Sequence, residues 1–191
     1  MKKTTVFIAA VAALIFFPGC FTPQQGTTGV VTGSSYNSAT DKTTYTVSPY
    51  GTAAIPGKWT KTHYNNVSFQ QFFVNSENVE IALAFGTTNG YEFNANGKRK
   101  GFDFVKGFYE WDTDYFVKKY GLNRTLIESD SAAHYMVYRL NGKAGSTVMD
   151  TYFLIGERNG YSSNFSVSIT DKWTAQAKVD FLKGLFMDNK Q

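Results

Sequence analysis

The chain has 191 residues, a formal net charge of +4 and 17% aromatic residues, among them 17 Phe and 12 Tyr. That size and aromatic content suit one domain with a dense core, and 15 acidic against 19 basic side chains leave no surplus of the kind that neutralises many nucleic-acid phosphates. The single cysteine, Cys20, excludes a fold stapled by its own disulfides.

Lys2 and Lys3 precede a nearly unbroken apolar run from Val6 to Phe17, and Pro18-Gly19-Cys20 follows. A basic start, about a dozen apolar residues and a small residue at the cut form a removable export signal, too short to span a bilayer permanently. The segment Phe17 to Cys20 resembles the lipobox of bacterial lipoproteins. That resemblance implies cleavage after Gly19 and a lipid on the thiol of Cys20, although Phe17 and Pro18 stand where the family usually has Leu and a small residue. An ordinary secretory signal with a chance cysteine is the alternative. Loss of residues 1–19 removes Lys2 and Lys3 and lowers the net charge to +2. A lipidated Cys20 also has no free thiolate, which removes the one candidate thiol nucleophile. By the sorting rule of enterobacterial lipoproteins, Phe21 rather than Asp after the cysteine implies the outer membrane, facing the periplasm.

Residues 20–44 shift to Thr, Gly, Ser, Gln and Asn, too few large apolar groups to offset the entropy of ordering them. They are expected to be a flexible tether with a reach of roughly 25–30 Å. Residues 45–188 form the expected domain. Asn-Gly pairs at 89–90, 96–97, 141–142 and 159–160 mark hairpin turns, since this dipeptide tolerates positive φ. Val79 to Phe85 alternates large apolar residues with Glu and Ala, the period of a half-buried strand, while 67–74, 125–129 and 133–140 read as further strands.

The clearest hairpin is 147–155 returning as 161–170, where Phe165, Val167 and Ile169 alternate with Asn164, Ser166 and Ser168, so that one face is expected to be wet. A three-residue loop would set Phe153 opposite Phe165, and a two-residue Asn159-Gly160 turn would set Leu154 there. One helix ends at Tyr120 before Gly121 with Lys118 and Lys119 in its last turn. Phe104, Phe108, Trp111 and Tyr115 support a long helix, and Asp112 or Thr113 as N-cap would give a shorter one. A second helix is expected over 172–186, with Ala175, Val179, Leu182 and Phe186 on one stripe.

The fold class expected is α+β, an antiparallel sheet of about six strands flanked by two main helices. With Pro56-Gly57-Lys58-Trp59 near its start and Gly156-Glu157-Arg158-Asn159-Gly160 before the last strand and helix, the order resembles the PsbP-like fold, which includes DcrB-like bacterial lipoproteins. The match covers 45–187, with 86–101 as an insertion. The resemblance implies a non-catalytic accessory or assembly role.

The remaining motifs have bland explanations. Lys100 to Val105 resembles an RNA-recognition signature but carries Asp103 where Gly or Ala belongs. Glu110, Asp112 and Asp114 include a D-x-D pair, yet acids at a helix start need no metal. His134 is expected on a strand face with Met136, Tyr138 and Leu140 as a core histidine, and no Gly-x-Ser-x-Gly elbow accompanies it or His63. No catalytic residue, metal ligand or cofactor is assigned. The expected partners are the membrane, through the lipid, and an envelope protein, with no nucleic acid. Trp59, Trp111 and Trp173 leave carbohydrate or small-ligand binding as an alternative, and an envelope hydrolase built on His134 comes last.

Overall fold

Runs of Thr, Tyr, Val, Ile and Phe at period two become ten strands in the computed structural model, which describes residues 29–188. Strands β1 (Val31–Asn37), β2 (Lys42–Ser48) and β3 (Gly51–Pro56) form a small antiparallel sheet in that order. Strands β4 (Thr60–Asn65), β5 (Gln70–Val74), β6 (Glu80–Thr87), β7 (Asn123–Asp130), β8 (Tyr135–Ala144), β9 (Thr147–Arg158) and β10 (Tyr161–Val167) form a seven-stranded antiparallel sheet. Its order is β4-β5-β6-β10-β9-β8-β7. Helix α1 (Gly101–Tyr120) joins β6 to β7 by way of two 3-10 turns, and α2 (Ala175–Met187) ends the domain. The class is α+β, with seven strands in the main sheet rather than about six.

Part of the expected tether is structured. Residues 31–37 and 42–48 pair along their whole length, so the irregular stretch does not extend to residue 44. Composition hid this because β1 buries none of its seven residues and is held chiefly by backbone pairing, with the Tyr36 hydroxyl on Asp41, while β2 buries only Thr43, Tyr45 and Val47, every second residue. Those three face the main sheet, where Tyr45 meets the ring of Phe73 edge-on at 5.2 Å. Gly19 and Cys20 lie outside the described residues, as does the export segment.

The main sheet is packed on both faces. On one, β2, β3 and α2 cover Phe73, Ile81, Leu83, Leu154 and Phe165. On the other, Phe104 and Phe108 of α1 lie against Tyr138, Phe153 and Ile155. The long reading of α1 is correct, and Gly121 ends it at φ 67° with its N–H on the carbonyl of Val117. Helix α2 starts three residues later than expected because Thr174 is the N-cap, its side chain accepting from the N–H of Ala177.

The Asn159-Gly160 turn has two residues, with Arg158 opposite Tyr161, and therefore sets Leu154 opposite Phe165. Both turn residues have positive φ, 52° and 84°, the twist that matches antiparallel strands. The other Asn-Gly pairs do not make hairpin turns. Asn141-Gly142 lies inside β8, where a Cβ on Gly142 would stand 3.1 Å from a methyl of Leu122, and the chain reverses instead after Ala144. Nor is the Ser-rich face of β10 wet. Ser162 and Ser166 are buried, and residues 88–100 fold back over the first of them, with the hydroxyl of Tyr91 2.9 Å from Ser162 Oγ.

Candidate partner-binding groove

The two ends of the main sheet differ. Val31 pairs with Ser48, and the following Tyr50 stacks 5.8 Å from Tyr161, so the described chain enters at the end holding the Asn159-Gly160 turn. At the opposite end, β9 outruns its neighbour. It pairs with β8 from Thr147 onward but with β10 only from Tyr152, which leaves the edge at residues 147–151 without a ladder partner, although Ser168 and Ile169 lie beside it. Along β9 the two ends are separated by about 35 Å.

Beside that open edge lies a groove of about 320 Å³, floored by Met149 and Thr151 and walled by Phe116 and Tyr120 of α1 and by Ile169. Its lining is mostly apolar because the C-terminal turn of α1 must present rings toward the sheet while Lys118 and Lys119 remain in water. Val148 and Ile169 stand at its mouth, 55% and 56% exposed. Two large apolar side chains open to water beside an apolar groove make this a candidate contact surface.

The rim carries charges of both signs, and most of them have partners. Asp150 is held by Arg139 Nε at 2.6 Å, and Glu80 accepts from Ser168 Oγ at 3.0 Å. Lys118 pairs with Asp114 at 2.8 Å, and Lys119 bonds the hydroxyl of Tyr115. Lys143, at the tip of the β8–β9 hairpin, is exposed and has no ion pair among the described residues.

The chemistry-bearing residues singled out in the sequence fall elsewhere. The His134 ring lies on the side of the sheet that Met136 and Tyr138 face, against Gly101 at the start of α1, but it is not a core residue. It sits in the turn before β8 with φ 55°, partly open to solvent, with Nδ1 3.4 Å from Glu157 Oε2. The strand starts at Tyr135, two residues later than the alternation suggests, so the imidazole lies at the end of the sheet and partly in water. Glu157 is itself occupied, since Oε1 accepts the N–H of Gly160 at 2.6 Å.

Glu110, Asp112 and Asp114 lie in the middle of α1 rather than at its start, and they diverge. Glu110 faces Lys106, and Asp114 binds Lys118 and Arg124. Asp112 turns inward to accept the hydroxyl of Tyr138 at 2.8 Å. Burial pushes the Asp112 carboxyl up to about 6, against the opposing effect of that hydrogen bond. Enclosure likewise pushes Tyr91 up to about 12 and Tyr138 well above the ordinary tyrosine value. Among the described residues no group of His, Cys, Asp and Glu is arranged to hold a metal ion.

The Lys100 to Val105 motif is the first turn of α1, not a strand, and Phe104 and Val105 point into the core. The indoles form no row toward solvent. Trp59 is buried and its Nε1 donates to the carbonyl of Pro56 at 2.7 Å, Trp173 packs on it at 6.1 Å, and Trp111 sits 5.6 Å from Phe93. The groove, by contrast, gave no signal in the sequence, because Phe116, Met149 and Ile169 are ordinary core letters until the unequal strand lengths leave them uncovered.

No protein-family model matches the chain, and no curated protein matches it. Among solved structures it is similar to the solution structure of cyanobacterial PsbP (CyanoP) from Synechocystis sp. PCC 6803, with 11% identity and a TM-score of 0.46. That match covers 90% of this chain and 99% of the other. Among the described residues no helix is long and apolar enough to cross a membrane.

Proposed function

We propose that the chain is an exported lipoprotein, anchored through Cys20 after cleavage behind Gly19, that serves as a non-enzymatic accessory module on the periplasmic side of the bacterial outer membrane. In this reading the folded domain holds an envelope protein at the end of the sheet remote from the anchor. One observation carries the proposal. The described chain enters at one end of the main sheet, and the apolar groove with exposed Val148 and Ile169 opens at the other, about 35 Å away. A tethered protein that presents its uncovered apolar surface away from the tether is arranged to reach a partner. The lipobox-like segment and the accessory role implied by the PsbP-like resemblance support the same reading.

The anchor is tested by growing cells with labelled palmitate. Label enters the wild-type protein and is absent from Cys20→Ala. Equal incorporation in both removes the anchor from the account. Carbohydrate binding fits the structure less well, since each indole is packed among other rings and none stands free to stack on a sugar.

A further inference from the structure

We infer that the start of α2 is a binding site for the carboxylate or phosphate end of a small organic ligand with a short apolar body. The site is additional to the partner-binding reading and does not depend on it. Its centre is a lysine placed where a lysine is unfavourable.

Lys178 is 4% exposed, and its ammonium has neither a hydrogen-bond acceptor nor a carboxylate among the described residues. It rests over the ring of Tyr152, 5.1 Å from the centroid. A buried ammonium is ordinarily paired, because an unpaired one keeps most of the penalty of leaving water. Its place in the helix adds to that penalty. Lys178 is the fourth residue of α2, and the first turn carries no acid to answer the positive end of the helix dipole. Asp171, just before the helix, is turned to solvent beside Lys172, and Asp180 accepts from Gln176 Nε2. Thr174 takes the N–H of Ala177 on its hydroxyl and that of Lys178 on its carbonyl, which leaves the N–H groups of Ala175 and Gln176 without an acceptor among the described residues. Helix side chains lean toward the N-terminus, so Lys178 reaches toward the end where those two N–H groups lie open.

The sheet beneath that end is recessed. Phe186 lies over Gly156 and Lys178 over Tyr152, so two turns of α2 run beside four residues of β9 in the same direction. One turn earlier the helix begins, level with Asp150. An open recess of about 340 Å³ lies there, lined by Arg139, Lys143, Val148, Asp150 and Ile169. Arg139 stands opposite Tyr152 and Lys143 opposite Val148, so both cations share the face that α2 covers. The Arg139 guanidinium lies 5.5 Å from the centroid of Tyr152, and this one ring therefore carries two cations. Asp150 engages only the Nε of Arg139, at 2.6 Å, and the terminal N–H groups have no acceptor among the described residues. Lys143, Arg139 and Lys178 thus meet a single recess acid. An oxyanion between the start of α2 and Arg139 is offered the ammonium, two backbone N–H groups and the guanidinium fork. Val148 and Ile169, more than half exposed, supply the apolar side on which a short alkyl chain is covered.

The test uses the full-length protein as purified from the envelope, in lipid nanodiscs, and follows its amide and lysine side-chain NMR signals. The probes are hexanoate and hexyl phosphate, with hexanol, acetate and inorganic phosphate as controls. At least one charged hexyl probe should shift the Ala175 and Gln176 amides and the Lys178 side chain saturably, at least tenfold more tightly than any control. The tighter of the two names the anionic group. Lys178→Met should weaken that binding at least tenfold, while Lys178→Arg stays within about threefold of wild type. Without ligand, Lys178→Met should resist urea at least as well as wild type, since it removes an unpaired buried charge. Binding unchanged in Lys178→Met, hexanol or a bare anion as tight as the charged hexyl probes, or shifts scattered away from the start of α2 would overturn the inference. So would a Lys178→Met protein less stable than wild type, because the lysine would then be satisfied within the fold. None of these outcomes bears on palmitate labelling at Cys20, which tests the anchor separately.

Discussion

Replacing Asp112 with Asn tests whether the centre of the α1 interface holds a carboxylate against its preference. The native carboxyl lies among tyrosines and accepts the Tyr138 hydroxyl, and burial pushes its pKa from 3.8 up to about 6. A carboxyl whose pKa is higher in the folded state binds more protons there than in the unfolded chain between those two values. Folding is therefore weakened as pH rises from 3.8 through 6, and the whole penalty is present at pH 7.5. The interval corresponds to about 3 kcal/mol, and since Asp112 keeps part of its surface toward water, roughly half of that is the working figure. Asparagine retains an acceptor for Tyr138 and has no charge to desolvate. Urea unfolding followed by tryptophan fluorescence should show Asp112→Asn more stable than wild type by about 1.5 kcal/mol at pH 7.5, with the difference vanishing near pH 3.5. Asp114 and Glu128, whose pKa values are lowered by Lys118 and Arg124 and by Lys183 and Tyr135, make both proteins less stable in acid. They are common to the two chains and cancel in the difference. A variant less stable than wild type at pH 7.5, or a difference that does not shrink on acidification, would refute the reasoning.

Three further outcomes are expected. In Gly156→Ala the added Cβ would lie 2.2 Å from Phe186 Cε2, so α2 must move off β9; a loss of about 1–3 kcal/mol and a broadened Phe186 ring signal in NMR spectra should follow, whereas a neutral effect would mean that α2 is not seated as described. Thr174→Ala removes the hydroxyl that accepts from Ala177 and should cost about 1 kcal/mol in thermal or urea unfolding, with faster amide exchange confined to the first turn of α2. Trp59→Ala empties a buried site shared with Trp173 and Phe181 and should cost about 3–5 kcal/mol, a cost that a surface tryptophan used for sugar stacking would not carry.

The legible parts of the fold are those in which a local rule agrees with the tertiary surroundings. The Phe104 to Tyr115 spacing gave α1, Gly121 gave its end, and the alternation at 79–85 gave β6. Gly156, noticed only as part of a short motif, has a packing reason, since nothing larger fits beneath Phe186. Where a residue's surroundings are made by distant chain, the reading failed. β1 buries no apolar face and is held chiefly by backbone pairing, so its composition matched a tether. Ser162 of β10 looks solvent-facing until residues 88–100 fold over it. His134 is not enclosed as a core residue because a left-handed turn, not a strand, carries it before β8. The groove was invisible for a related reason, because it arises from a difference in length between β9 and β10 and no residue type marks such a difference.

The most direct measurement is the mass of the mature native protein and of its N-terminal peptide. The account predicts a chain that begins at Cys20 and carries a diacylglycerol on sulfur and an acyl group on nitrogen. An uncleaved leader, or an unmodified cysteine at that position, would contradict it.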